Sequence, residues 1–394
     1  MNQPEYKDGQ ELTIETTLLS EPRIKGKSQQ FSVHLQDGTL VFITTTIYPQ
    51  LSYGDTIQIS GDLKERVLDN KKILLAMSFP KIQIVKKDEV GLALVTRLRQ
   101  SLTEFFLNTL PAPHANVLLG IVFGVKEGIP QAMLDDFKKT GILHITAASG
   151  MNVSMVGSFL TGLFGAFLRR QYAVLASIAG ICLYAVLAGL EPSIVRASIM
   201  GIVAFSAQLS GRQYLAVYGL FLASFGMLFV APYLLFDVGF QLSFAATLGL
   251  ITIRPLFDRY PFFKNNMIGK DFATTISAQL ATLPILISTF GTYSLWSVVV
   301  NGLVLWTIPF LMIFGGMGAI VGLVIPTVGG LFLYLTLPLL TYFTFVVQFF
   351  ANNIGTPTSF ENIPTSLTIG FYLLLASLVL FVKNKSYGTR KLPA

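Results

Sequence analysis

Beyond residue 145 the chain is a close succession of apolar segments, each about as long as a bilayer is thick, and this admits one class of fold. The segments cover about 146–168, 172–189, 193–210, 214–231, 234–253, 273–290, 297–323, 328–350 and 367–382. A helix needs ~20 largely apolar residues to cross the hydrocarbon layer. Lipid cannot hydrogen-bond the backbone, so each crossing segment must satisfy its own polar groups, as a helix does. Composition agrees: 12% of residues are charged, against about 25% in soluble domains, and mean hydropathy is +0.62. The expectation is a polytopic α-helical membrane domain of about nine transmembrane spans over 146–394.

The preceding residues differ. Over 9–85, short alternating runs rich in Val, Ile, Thr and Phe are separated by turn chemistry at 21–22, 37–38, 53–55 and 69–70. About five strands with an Asp-Gly hairpin fit a small Greek-key barrel of OB type, giving a mixed fold with an OB-like β domain at 1–88. Such barrels often bind single strands through basic and aromatic residues. Here Phe31, Phe42 and Phe79 serve equally well as core. Residues 89–145 read as amphipathic and short re-entrant helices. Leu92, Leu98, Leu102, Phe105 and Phe106 oppose Arg97, Arg99 and Glu104 in a first helix suited to the interface. A second apolar piece from Ala115 to Gly124 is too short to span. Broken segments of this kind are tolerated at membrane depth only against protein or a cavity.

Charge gives the sidedness. Residues 1–110 carry 13 Lys+Arg and 13 Asp+Glu, so the whole net charge of +7 lies beyond Pro111. Arg169, Arg170, Arg212, Arg254, Arg259, Lys264, Lys270, Lys383 and Lys385 fall in alternate loops, and the loops between them hold no Lys or Arg. Basic loops face the cytoplasm, which puts the C-terminus inside, with the β domain and His144 on the outer side. A translocated N-terminal domain needs a preceding hydrophobic helix, so either an upstream hairpin belongs to the protein or the topology is inverted; the hairpin is the expectation. Cys182 reads as a buried small hydrophobe. His34, His114 and His144 stand singly, so no metal and no cofactor is expected.

Several polar residues do not belong in lipid. The stretch 138–160 plants His144, Ser149, Gly150 and Asn152 at the head of the first span. Ser193 and Arg196 follow Pro192 in the third, where Arg196 either serves function or snorkels to the interface. Asp237, Gln241 and Ser243 open the fifth, and a carboxylate and amide four residues apart share a helix face. Arg196 is the natural partner of Asp237. Gln279 precedes the helix-kinking Pro284, and Asn301 precedes Pro309. Intramembrane polar groups are functional or paired by default. By this topology all lie in the outer half of their helices, as a shared cavity requires; an inter-helix hydrogen-bond network is the structural alternative. Catalysis is not expected, because His144 and Ser149, five apart, make a poor dyad on a regular helix.

At these residues the sequence resembles the ComEC competence family of DNA-internalisation channels. The family's Gly-x-x-His-(x)4-Ser-Gly signature matches TGILHITAASGMNV at 140–153, with Asn152 where many members have His. PSIVRA at 192–197, FQLSFAA at 240–246, QLATLP at 279–284 and Asn301 follow in order. The resemblance implies a channel in the cytoplasmic membrane carrying single-stranded DNA inward during natural transformation. It also implies a separate DNA receptor, nuclease and cytoplasmic motor as partners, besides membrane lipid. The sequence has no His-x-His-x-Asp-His run of the metallo-β-lactamase-like domain found in many members, so nuclease activity is expected elsewhere. A membrane-embedded serine hydrolase using Ser149 and His144, or a secondary transporter of a small solute, is the alternative.

Overall fold

The computed structural model describes residues 9–18, 23–25, 28–34, 40–46, 48–49, 51, 55–67, 73–86, 92–125, 128–146, 149–294, 296–353, 358–359 and 365–388. The chain divides into two compact units, residues 1–104 and 105–394.

In the first unit, β1 (Glu11–Thr17), β5 (Thr56–Asp62) and β8 (Lys81–Lys86) form an antiparallel sheet in the order β1-β5-β8. A second sheet has the order β2-β3-β4-β7-β6, built from β2 (Arg23–Lys25), β3 (Ser28–His34), β4 (Leu40–Thr46), β6 (Lys64–Val67) and β7 (Ile73–Ser78). Its β4–β7 pair is parallel; the others are antiparallel. Alternate residues of both sheets meet in one core, including Phe31, Val33, Val41, Ile43, Ile57, Ile59, Leu75 and Met77. Burying each such side chain contributes roughly 1.5–3 kcal/mol. The expected β domain is thus present, but as two sheets over a shared core and not as one closed barrel. The expected turns at 21–22, 37–38 and 69–70, and residues 53 and 54, lie outside the described residues. Phe31 is core, whereas Phe42 and Phe79 are 42% and 62% exposed.

Amphipathic α1 (Leu92–Thr109) contains the boundary between the units and buries Leu102 and Phe106, one turn apart. Short apolar α2 (Ala112–Phe123) and α3 (Gln131–Thr140) follow, then a 3-10 turn at Leu143–Thr146. The remaining helices are α4 (Gly150–Gly165), α5 (Arg170–Leu187), α6 (Pro192–Leu209), α7 (Ala216–Val230), α8 (Val238–Thr252), α9 (Arg254–Phe257), α10 (Pro261–Asn265), α11 (Met267–Phe290), α12 (Ser297–Val304), α13 (Ile308–Gly322), α14 (Pro326–Tyr334), α15 (Leu337–Asn353) and α16 (Thr365–Gly388).

Among the described residues, six helical stretches are long and apolar enough to cross a membrane: Arg170–Leu187, Pro192–Leu209, Val238–Phe257, Gly269–Phe290, Ser297–Gly322 and Pro326–Asn353. Three of the nine expected spans are shorter. α4 and α7 have 16 and 15 residues, and the apolar part of α16 is Ser366–Val382. At 1.5 Å per residue, 15 residues reach ~22 Å, short of the ~30 Å hydrocarbon thickness.

Small residues let the helices approach closely, as packing without a hydrophobic drive between helices requires. A Cβ on Gly249 of α8 would lie 2.6 Å from both Ala281 Cβ and Ser277 O of α11. One on Gly318 of α13 would lie 2.6 Å from a methyl of Leu333 on α14. Cys182, expected in the interior, is instead exposed on α5. Two contacts bear on sidedness. β9 (Thr292–Tyr293) pairs with β10 (Thr358–Ser359), joining two of the loops that lack Lys and Arg. From the basic loop after α8, Arg259 donates to Val382 O at the basic end of α16, at 3.0 Å.

Candidate functional site

The polar residues organise around the end of α2, a helix that stops inside the protein. Helix ends leave carbonyls without intrahelical partners, and the last residues of α2 are buried. Gly124 takes the left-handed conformation (φ 73°), and the N–H groups of Gly124 and Val125 return to Gly120 O and Leu119 O. The next two carbonyls are capped from other helices. Asn152 Nδ2 of α4 donates to Ile121 O at 2.7 Å, and Tyr184 OH of α5 donates to Val122 O at 2.9 Å. Asn116 Nδ2 reaches Gly128 O at 2.7 Å across the following loop. Ser149, the N-cap residue of α4, turns its hydroxyl to Asn152 Oδ1 at 3.3 Å instead of accepting from a backbone N–H of the first turn. Asn152 and Ser149 therefore hold a helix break together.

Arg196 lies in the second turn of α6 and is only 4% exposed, which rules out snorkelling. Its Nη1 donates to Thr247 Oγ1 of α8, and that hydroxyl donates on to Ser243 O at 2.9 Å. Its Nη2 lies against Gly150, where a Cβ would be 3.4 Å away. Nε is buried without a hydrogen-bond partner. Ser193, one turn earlier, is half-buried.

The expected Arg196–Asp237 pair is not formed. The chain turns through a 3-10 segment at Pro232–Phe236, which leaves Asp237 ahead of the first turn of α8. There its carboxylate accepts from Phe240 N at 2.7 Å, the role of an N-cap acid beside the positive end of the helix dipole. Gln241 Nε2 turns back to Leu235 O at 2.8 Å. Both residues are occupied in shaping the entry to α8. The ion pairs between described residues, Lys138–Asp135 at 3.9 Å and Arg254–Asp258 at 3.1 Å, do not involve Arg196.

The other sequence-derived residues gather at the start of α12. Gln279 Nε2 donates to Ser297 Oγ at 2.6 Å, and Tyr293 OH donates to Gln279 Oε1 at 3.0 Å. Ser297 packs on Gly141, the left-handed C-cap of α3 (φ 74°), where a Cβ would come within 2.5 Å of Ser297 Cβ. His144 hydrogen-bonds the Gly141 carbonyl. The residue is exposed at its surface, with protein packed around the rest of it. That surrounding protein lowers its pKa below the ordinary 6.5, outweighing the Gly141 bond, which raises it. Asn301, one turn beyond Ser297, is 2% exposed and its Oδ1 has no partner. Inside α11, Pro284 removes the N–H that Leu280 O would accept, and nearby Ala281 O accepts from Tyr372 OH of α16 at 2.9 Å.

The eleven sequence-derived residues thus fall into three sets. Ser149, Gly150, Asn152, Ser193, Arg196 and Ser243 surround the junction of α4, α6 and α8. His144, Gln279 and Asn301 surround the Gly141 turn and α12. Asp237 and Gln241 cap α8. Sequence reasoning missed Tyr184, Thr247, Tyr293, Ser297 and Gly141. Thr, Ser and Tyr are common in apolar segments, and none of these breaks the surrounding pattern.

These features define a multi-pass membrane protein with polar side chains buried among broken helices and a small β-sheet unit at its N-terminal end. The chain belongs to the family described as "Competence protein", whose model matches residues 121–385, well over half of it. Among curated proteins it is 30% identical over 220 residues to "ComE operon protein 3" of Bacillus subtilis (strain 168), covering 55% of this chain and 27% of that protein. It is 28% identical over 194 residues to an uncharacterized protein of Aquifex aeolicus (strain VF5), covering 48% and 45%. A 112-residue stretch is 26% identical to the uncharacterized protein YcaI of Escherichia coli (strain K12), covering 26% and 15%. The chain therefore spans less than half the length of these relatives. No solved structure matches it.

Proposed function

We propose that this chain is the membrane conduit through which single-stranded DNA enters the cytoplasm during natural transformation. The observation that carries the reading is a buried guanidinium without a carboxylate partner, in a chain of the competence family. A buried charge is costly unless compensated, and a polyanion in transit supplies the missing negative charge. The relative named for the ComE operon supports the same reading.

In this reading the chain crosses the cytoplasmic membrane nine times, with the β unit outside and the C-terminus inside. Support comes from the alternation of basic loops and from the β9–β10 and Arg259–Val382 contacts, each of which joins loops of one charge class. The two sheets read as an OB-like unit whose long strands bend from one sheet to the other: only Leu63 separates β5 from β6, and only Phe79 and Pro80 separate β7 from β8. Exposed Phe42 and Phe79 offer stacking surface to a strand. The receptor, nuclease and motor are separate proteins. The chain itself is not an enzyme, consistent with a Ser149 hydroxyl directed to Asn152 and not to His144.

In a transformable host, Arg196→Ala should leave surface-bound DNA unchanged and sharply reduce nuclease-protected internal DNA. Unchanged internalisation by Arg196→Ala and by Gln279→Ala would refute the conduit.

A further inference from the structure

We infer that Arg196 and the first turn of α4 together hold one phosphodiester group of the strand in transit, with Gly150 letting the guanidinium approach the helix end closely. The inference rests on the conduit reading and names the contact within it.

α4 is a 16-residue helix whose N-cap has no side-chain cap bond, because the Ser149 hydroxyl is turned to Asn152. The N–H groups of Asn152 and Val153 return to Ser149 O. Those of Gly150 and Met151 belong to the first turn, where a helix offers its own donors no acceptor. That end of a helix carries partial positive charge and attracts anions.

Arg196 is the independent observation. The residue is 4% exposed, its Nε is buried without a hydrogen-bond partner, and its Nη2 lies against the Gly150 end of α4. A cation against a helix N-terminus is repulsive, the reverse of the usual arrangement. Its hydrogen-bond partner, Thr247, is neutral. The ionisable group whose charge reaches it is Tyr214, whose phenol is neutral near pH 7. A buried cation held against the positive end of a helix calls for an anion that both can reach.

The donor set suits a phosphodiester. A guanidinium edge and backbone N–H groups match phosphate oxygens, and a diester carries a single charge. One such contact is weak enough to be left, as conduction requires. Gly150 permits the close approach of the two donors: a Cβ there would stand 3.4 Å from Nη2 and 3.2 Å from Ala197 Cβ, crowding the guanidinium.

The test uses this chain in zwitterionic-lipid nanodiscs, with a fluorescent oligothymidylate read by anisotropy over a salt series. Losing a charge-assisted contact should weaken binding by Arg196→Gln about tenfold or more. The slope of log K against log salt should fall by about 0.7, the single-strand value for one phosphate. Arg196→Lys should keep the slope, and Gly150→Ala should weaken binding with no change in melting temperature. Binding that Arg196→Gln and Gly150→Ala leave unchanged in affinity and slope overturns the site and leaves the conduit standing. Failure of the wild type to bind oligothymidylate, with Arg196-dependent binding of inorganic phosphate retained, overturns the conduit and leaves an anion site. Displacement of the oligonucleotide by phosphatidylglycerol in the wild type but not in Arg196→Gln assigns the site to lipid headgroups and overturns the inference.

Discussion

Replacing Asn152 by Ala separates a structural role from a transport role at the residue with the most polar signature in α4. In the wild type, Asn152 Nδ2 donates to Ile121 O at 2.7 Å, and the residue is 3% exposed. Alanine leaves that carbonyl buried and unpaired beside Val122 O, which Tyr184 caps at 2.9 Å. An orphaned buried acceptor costs about 1–3 kcal/mol, whereas side-chain hydrogen bonds between membrane helices average ~0.6 kcal/mol because the unfolded reference also finds partners. Asn152 caps a broken helix end within the protein, so about 1–2 kcal/mol is expected. Tyr184→Phe should cost a similar amount. Because the two carbonyls are adjacent on one helix end, the double variant should lose less than the two single losses combined. Reversible unfolding in mixed micelles, followed by circular dichroism, measures all three. Asn152→His retains a ring N–H donor and should recover part of the loss. If Asn152→Ala unfolds like the wild type while abolishing DNA entry, the capping argument is wrong and the residue acts on the strand.

Gly141→Ala should destabilise by about 2 kcal/mol or more. It places a Cβ in a left-handed conformation, which costs roughly 1–2 kcal/mol by itself, and 2.5 Å from Ser297 Cβ. Adding Ser297→Gly should return part of the lost melting temperature, and no recovery would locate the strain elsewhere. For His144, the folded pKa is lowered, so between that value and 6.5 the folded state binds fewer protons than the unfolded chain. Stability should therefore fall as pH drops through 6.5, modestly, because the ring keeps contact with water. Melting temperature from pH 7.5 to 5.5 should fall more steeply for the wild type than for His144→Gln; parallel curves would contradict the assignment.

The sequence alone determined the class of fold, the helical segments and the family. Hydrophobic length is a local, additive property, and a segment of ~20 apolar residues surrounded by lipid has no alternative to the helix. Charge in the connecting loops is equally local, and the alternation read from Arg169 to Lys385 accords with the pairing of loops in space. The ordered motifs from His144 to Asn301 needed no structure to be recognised. What those residues touch was decided only by tertiary structure. Asn152 finds its acceptor 31 residues away on α2, Asp237 turns to its own helix instead of to Arg196, and the strands settle into two sheets over one core. A membrane helix is apolar towards lipid and towards its neighbours alike, so its sequence does not encode its rotation, and rotation selects hydrogen-bond partners. The isolation of the Arg196 charge at the head of α4 comes from three helices meeting, and no single segment contains it.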